Sequence, residues 1–145
     1  MQYNFYGWEN AEKITHSNKN FQKIKNPIDL YNALSTIWCE YSCAPRMRNE
    51  WCEDNKTLGQ CSITAFLAQD IFGGKVYGIP NSDGSFHCYN QVGEYKFDLT
   101  SEQFKGEILN YENNHEQFRE NHFSNQEKRL RYEYLQSELK KFLKR

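Results

Sequence analysis

Cys61, His87 and Asp98 are the residues of this chain whose types and order could do chemistry. Cys61 ends the run Thr57-Leu58-Gly59-Gln60-Cys61, at the expected start of a helix. His87 stands in Phe86-His87-Cys88-Tyr89-Asn90 and Asp98 in Lys96-Phe97-Asp98-Leu99-Thr100, each on an expected strand. A free thiol, with a pKa of about 8.5, is mostly protonated at neutral pH, so a thiol nucleophile needs an imidazole to take its proton or to pair with the thiolate. A carboxylate behind the imidazole fixes its tautomer and stabilises its charged form. Unpaired N–H groups at a helix start favour thiolate and can stabilise an oxyanion. Each residue has a plainer reading when taken alone: a small buried Cys, a satisfied strand His, an Asp that caps a turn. Their order and settings together favour an activated thiol.

The elements that must position them follow from the pattern. Asn26-Pro27 predicts a helix start, with Asn as cap and Pro at the first position. Leu30, Leu34, Ile37, Trp38 and Tyr41 then form one apolar stripe that should end before Ala44-Pro45. Residues 46–56 read as a loop. Thr57-x-x-Gln60 has the form of a capping box for the cysteine helix, whose Ile63, Phe66, Leu67 and Ile71 should face inward before Gly73-Gly74 ends it. Three short strands are expected at 75–79, 86–91 and 94–99. If Gln91 pairs with Glu94 across the last turn, His87 falls directly opposite Asp98 on one face; a three-residue loop would put them on opposite faces. A second capping box, Thr100-x-x-Gln103, should open a short helix. Residues 110–125 read as an exposed polar connection. Ser124-x-x-Glu127 should cap a last amphipathic helix carrying Leu130, Tyr134, Leu135, Leu139 and Phe142.

Composition narrows the class. A chain of 145 residues should form one domain, 1–145, with a core at about 27–104 and the C-terminal helix at about 125–145. Aromatic residues make up 16% of it, so large side chains must supply much of that core. No apolar run is long enough to span a bilayer and the first residues are too polar for export, so a soluble, cytoplasmic protein is expected. The net charge of −1 provides no field to attract nucleic acid. The cations of Lys140-Lys141-Phe142-Leu143-Lys144-Arg145 fit a helix C-terminus. Five cysteines without an export signal argue against a disulfide framework. Cys39, Cys43 and Cys52 invite a zinc reading, but there is no paired CxxC and no nearby fourth ligand, so thiols are preferred and no metal or cofactor is called for.

Around the central three, Gln60 could offer an amide to an oxyanion, while Tyr89, Asn90 and Trp51 could line a substrate groove. Cys88 points to the opposite strand face from His87 and reads as core or bystander. His16, His115 and His122 read as surface residues.

Four ordered motifs resemble a known family. Leu58-Gly59-Gln60-Cys61-Ser62-Ile63-Thr64-Ala65, Gln69-Asp70-Ile71-Phe72-Gly73-Gly74, His87-Cys88-Tyr89-Asn90 and Phe97-Asp98-Leu99-Thr100-Ser101-Glu102-Gln103-Phe104 are similar to the patterns of the YunG-like family of small uncharacterised bacterial proteins. The resemblance runs from about Leu30 to Phe104 and resumes at Arg131–Leu135. Tyr89 stands where Trp is common. More distantly, the order of Cys helix, His strand and Asp strand is similar to papain-like and transglutaminase-like folds. That likeness implies an α+β fold in which the cysteine helix packs on a short antiparallel sheet with helices around it. It also implies Cys61 as nucleophile, His87 as base and Asp98 as the acid that orients the base. The expected function is a thiol-dependent hydrolase or acyltransferase acting on a peptide, a protein or a small amide or thioester, with no nucleic-acid or membrane partner. The rival is a non-catalytic binding module on the same scaffold, since such folds host both. Nothing in the sequence specifies an oligomeric state.

Overall fold

The structure, a computed structural model, describes residues 2–145. Helix α1 spans Pro27–Leu34 and begins as the sequence dictates: Asn26 Oδ1 accepts from the N–H groups of Ile28 (2.9 Å) and Asp29 (3.2 Å). It stops at Leu34, well short of Ala44. Ser35 Oγ donates to the Tyr31 carbonyl (2.7 Å) and Thr36 Oγ1 to that of Ala33 (2.8 Å), so two hydroxyls take carbonyls of the last turn. The chain continues in turns that keep Trp38 buried but leave Tyr41 exposed, so the predicted stripe is not one helix.

Helix α2, Cys61–Phe72, carries the candidate thiol at its first position. The capping box does not form. Gln60 occupies the cap without a side-chain bond to the helix, its Nε2 donating instead to the Cys39 carbonyl (3.1 Å), and the buried Thr57 hydroxyl has no partner. The start is set by Gly59. Its φ of +71° favours glycine, its carbonyl accepts from Ala44 N–H (2.9 Å), and a Cβ there would lie 2.5 Å from Cys43 Sγ and 2.9 Å from Ala44 N. Ile63, Phe66, Leu67 and Ile71 are buried, and the helix ends at Gly73, whose N–H bonds back to Gln69 O (2.8 Å).

The sheet is antiparallel. It comprises β1 (Lys75–Pro80), β2 (Phe86–Val92), β3 (Tyr95–Phe97) and β4 (His115–Gln117), in the order β3-β2-β1-β4. Val92 pairs with Tyr95 and Asn90 with Phe97, so the loop is Gly93-Glu94, two residues along from the expected register. Gly93, with φ +61°, takes the first loop position, where Val92 would have been strained. The shift is even, so the side chains keep their faces, and Asp98 comes to His87 diagonally rather than head-on. Asp98 itself leaves β2 and forms an isolated bridge with Tyr6, its N–H donating to Tyr6 O (2.9 Å).

Two segments do more than their sequences suggest. The N-terminal stretch adds Phe5, Ala11, Ile14, Phe21 and Ile24 to the core, which therefore extends beyond 27–104. The 110–125 connection supplies β4 on the outer edge of β1, with Val76 opposite Gln117, and then the single-turn helix α3 (Arg119–His122). Helix α4, Gln126–Leu143, is capped by Asn125, which accepts from Lys128 N–H (3.1 Å); Ser124 instead donates to the Asn121 carbonyl (2.7 Å). Its inner face is Arg131, Tyr132, Leu135 and Leu139, while Leu130 is exposed. Thr100 likewise caps nothing: its hydroxyl turns to Asp98, and Ser101–Phe104 is a short 3-10 turn. Helix α2 lies between the sheet, mainly β2, and α4. Among the described residues no helix is long and apolar enough to cross a membrane.

Replacing Gly59 by Ala should therefore lower stability by about 1–3 kcal/mol from positive-φ strain plus the contact with Cys43. Gly84→Ala, at a positive φ in open space, should cost less. Urea denaturation of the two variants checks the difference.

Candidate active site

Asp98 is the centre of the polar cluster. It is nearly inaccessible to solvent, and both oxygens are used. Oδ2 accepts from His87 Nε2 at 2.6 Å and from the Tyr111 hydroxyl at 2.8 Å; Oδ1 accepts from Thr100 N–H (3.1 Å) and Thr100 Oγ1 (3.3 Å). A buried carboxylate so supplied with donors can remain ionised without an uncompensated charge. Tyr111 is fixed in turn by stacking on Tyr6 with ring centroids 3.7 Å apart, so the N-terminal bridge and the 110s segment meet at this carboxylate.

His87 is held on Nε2, which leaves Nδ1 as its other ring nitrogen. Burial alone would push its pKa down, but the Asp98 charge and hydrogen bond, with Cys61 beyond, raise it to about 10. The edge of its ring meets Phe104, with centroids 4.7 Å apart and planes at 87°. Cys61 shifts the other way. A hydrogen bond from the Cys88 thiol, outweighing burial, and then the His87 imidazole hold its pKa well below the ordinary cysteine value. Cys88 is correspondingly raised, through the same Cys61 contact and then through burial. Both shifts run in the direction that favours a thiolate at Cys61 and an imidazolium at His87. Cys88 lies in the hydrophobic core, one of the two readings its strand face allowed.

The sulfur lies 3.8 Å from the Phe86 carbonyl oxygen, on the wall of an open pocket of about 920 Å³. Cys61, Ser62 and His87 share that pocket with Gln103, Phe104, Gln117, His122 and Lys128. The proposed groove residues lie elsewhere. Gln60 is fully buried with its amide on Cys39; Tyr89 is buried with its hydroxyl on Tyr111 O (3.0 Å); and Trp51 donates to Lys56 O (3.0 Å). Asn90 is buried and donates to Ala65 O (2.8 Å), bracing β2 against α2, so it positions Cys61 without touching the pocket.

Tyr111, Gln117, His122 and Lys128 had no sequence signal beyond their own types, because Tyr111 comes from the irregular segment before β4 and the others from a three-residue edge strand and two neighbouring helix turns. His122, expected at the surface, is partly buried between Lys128 and Gln117. His115 is exposed, and His16 is tied to Ile24 O (2.5 Å) and Asn18 N–H (2.9 Å). Cys39 lies 3.6 Å from the Tyr134 hydroxyl, Cys43 is buried and Cys52 exposed. Among the described residues no group of three or more His, Cys, Asp and Glu side chains is disposed to hold a metal ion.

With helix, strand and carboxylate in this order, comparison with known proteins has structural content. A family model described as YunG protein matches residues 26–144, and the chain belongs to that family. The protein described as "Uncharacterized protein YunG" from Bacillus subtilis (strain 168) is 36% identical over 75 residues, which cover 52% of this chain and 60% of that protein. No solved structure matches.

Asn in place of Asp98 removes the charge that raises His87 and leaves the burial that lowers it. In the wild type the imidazole should stay doubly protonated as pH rises, until about 10. In Asp98→Asn it should lose its proton at a markedly lower pH. NMR titration of the His87 ring nitrogens checks the direction of the shift.

Proposed function

We propose that the protein is a thiol-dependent acyl hydrolase or acyltransferase, using Cys61 as nucleophile, His87 as acid and base, and Asp98 as the residue that orients His87. The observation that carries this reading is the buried Asp98–His87 bond with His87 and Cys61 lining one open pocket, and the downward shift of Cys61 accords with it. A structural thiol buried in apolar surroundings would be shifted the opposite way, as Cys43 is, to about 11 by burial. The papain-like or transglutaminase-like arrangement is part of this proposal, and the sheet-backed cysteine helix supports it.

In this mechanism the Cys61 sulfur attacks the carbonyl carbon of an amide or thioester, and the carbonyl π electrons move onto oxygen. The N–H groups of the first turn of α2, which have no carbonyl partner within the helix, face the developing oxyanion. Collapse re-forms the carbonyl and breaks the C–N or C–S bond, and the His87 imidazolium protonates the leaving group. His87, now neutral, takes the proton of a water or of an acceptor amine or thiol as that group attacks the Cys61 thioester. The thiolate then departs and the imidazolium is restored. The buried Asp98 carboxylate keeps the ring turned by its bond to Nε2 and favours the charged form throughout.

Incubation with activated thioesters and p-nitroanilides, read by intact mass, should trap an acyl adduct on wild-type protein and none on Cys61→Ala. His87→Ala should cut turnover about 10²–10⁴-fold, the usual contribution of a general acid–base group. An adduct count unchanged in Cys61→Ala would refute the reading.

A further inference from the structure

The pocket opposite Cys61 contains a cation that the proposed chemistry does not use. Lys128 sits in the first turn of α4 with its Nζ 2.9 Å from His122 Nδ1, and His122 Nε2 is 3.0 Å from Gln117 Oε1. An ammonium can only donate, so His122 accepts at Nδ1 and donates its Nε2–H to the Gln117 carbonyl oxygen. The Gln117 amide nitrogen faces the His115 carbonyl (3.3 Å), which fixes that amide the right way round. The three residues form a chain in which only Lys128 is charged. Burial and then the Lys128 charge lower His122 to about 4, so it is a neutral bracket at physiological pH.

The other charges on the pocket wall are matched. Arg46 pairs with Asp83 (2.8 Å) and Arg131 with Glu127 (2.6 Å), and the shifts of Cys61 and His87 favour opposite charges on those two. Among the described residues Lys128 forms no ion pair with a carboxylate. Burial lowers the Lys128 pKa, against the raising influence of Cys88 and Cys61, so an anion placed on this ammonium would favour its charged form, and partial desolvation strengthens that attraction. Asn121 and Asn125, also on this wall, offer amide donors beside it.

We propose that Lys128, bracketed by His122 and Gln117, binds a carboxylate of the acyl substrate, so that the pocket selects acyl groups carrying one negative charge. This rests on the reading of Cys61 as nucleophile. A single point charge among neutral donors suits a monoanion; a phosphate dianion would leave a second charge unmatched.

The test uses pairs of thiol electrophiles that differ by one charge: iodoacetate with iodoacetamide, and 3-maleimidopropionate with N-ethylmaleimide. Both members of a pair need the same thiolate, so dividing their rates at Cys61 cancels any effect of a variant on that thiolate. In wild-type protein the anionic-to-neutral ratio should exceed that at the exposed Cys52 and fall with added salt. Lys128→Met should lower the ratio about tenfold and Lys128→Arg should largely keep it, as expected for one partly screened charge pair. The salt dependence is read on the wild-type chain and does not require a variant to fold. A ratio at Cys61 equal to that at Cys52, insensitive to salt and to Lys128→Met for both pairs, overturns the inference while leaving the nucleophile intact. Failure of Cys61 to react with any of the four reagents instead overturns the nucleophile reading.

Discussion

The buried His87–Asp98 contact is the interaction on which the rest of the site depends. Two ionisable groups, both almost wholly removed from water, would be costly if either lacked partners. The fold supplies them from every direction: the Tyr111 hydroxyl from the 110s segment, two donors from Thr100, and a backbone bridge from Tyr6 that fixes Asp98 at the end of β3. The N-terminal arm and the polar connection, which look dispensable to a cysteine site, are thereby tied to its carboxylate. The same contact raises the His87 proton affinity, and His87 is in turn one of the groups that lower the Cys61 pKa.

Local pattern carried the reading of the sequence a certain distance. Helix α2, its inward face, the three central strands and the shared face of His87 and Asp98 were legible, because each follows from periodicity or from an even loop. The register itself was misplaced by two residues. Gly93 belongs at the first loop position, where positive φ is needed, and an even slip does not move side chains between faces. The capping-box signatures failed in a uniform way. Thr57, Thr100 and Ser124 all have the right spacing, yet the chain uses Gly59 geometry, a bond to Asp98 and a cap at Asn125 instead. Spacing identifies residues able to cap; competing tertiary partners decide which of them do.

What stayed hidden was long-range. Strand β4 is His115-Glu116-Gln117, with no β-branched or aromatic residue, and it exists because the edge of β1 is there to pair with. That pairing brings Gln117, His122 and the start of α4 to the pocket. Cys88, by contrast, lies in the core, as strand alternation allowed. Helix α2 packs on β2, and both Cys88 and His87 contribute to the lowered pKa of Cys61 at the start of that helix. Cys61 thus shares one pocket with His87 and with Lys128, which forms no ion pair with a carboxylate among the described residues.

The proposed chemistry requires Cys61 to be a thiolate at neutral pH. The most direct measurement is the ultraviolet absorbance of the thiolate as pH is lowered, taken as the difference between wild type and Cys61→Ala. The expected result is a difference signal that persists through neutral pH and disappears only in acid. A signal lost with a midpoint near the ordinary thiol value of about 8.5 would contradict the account.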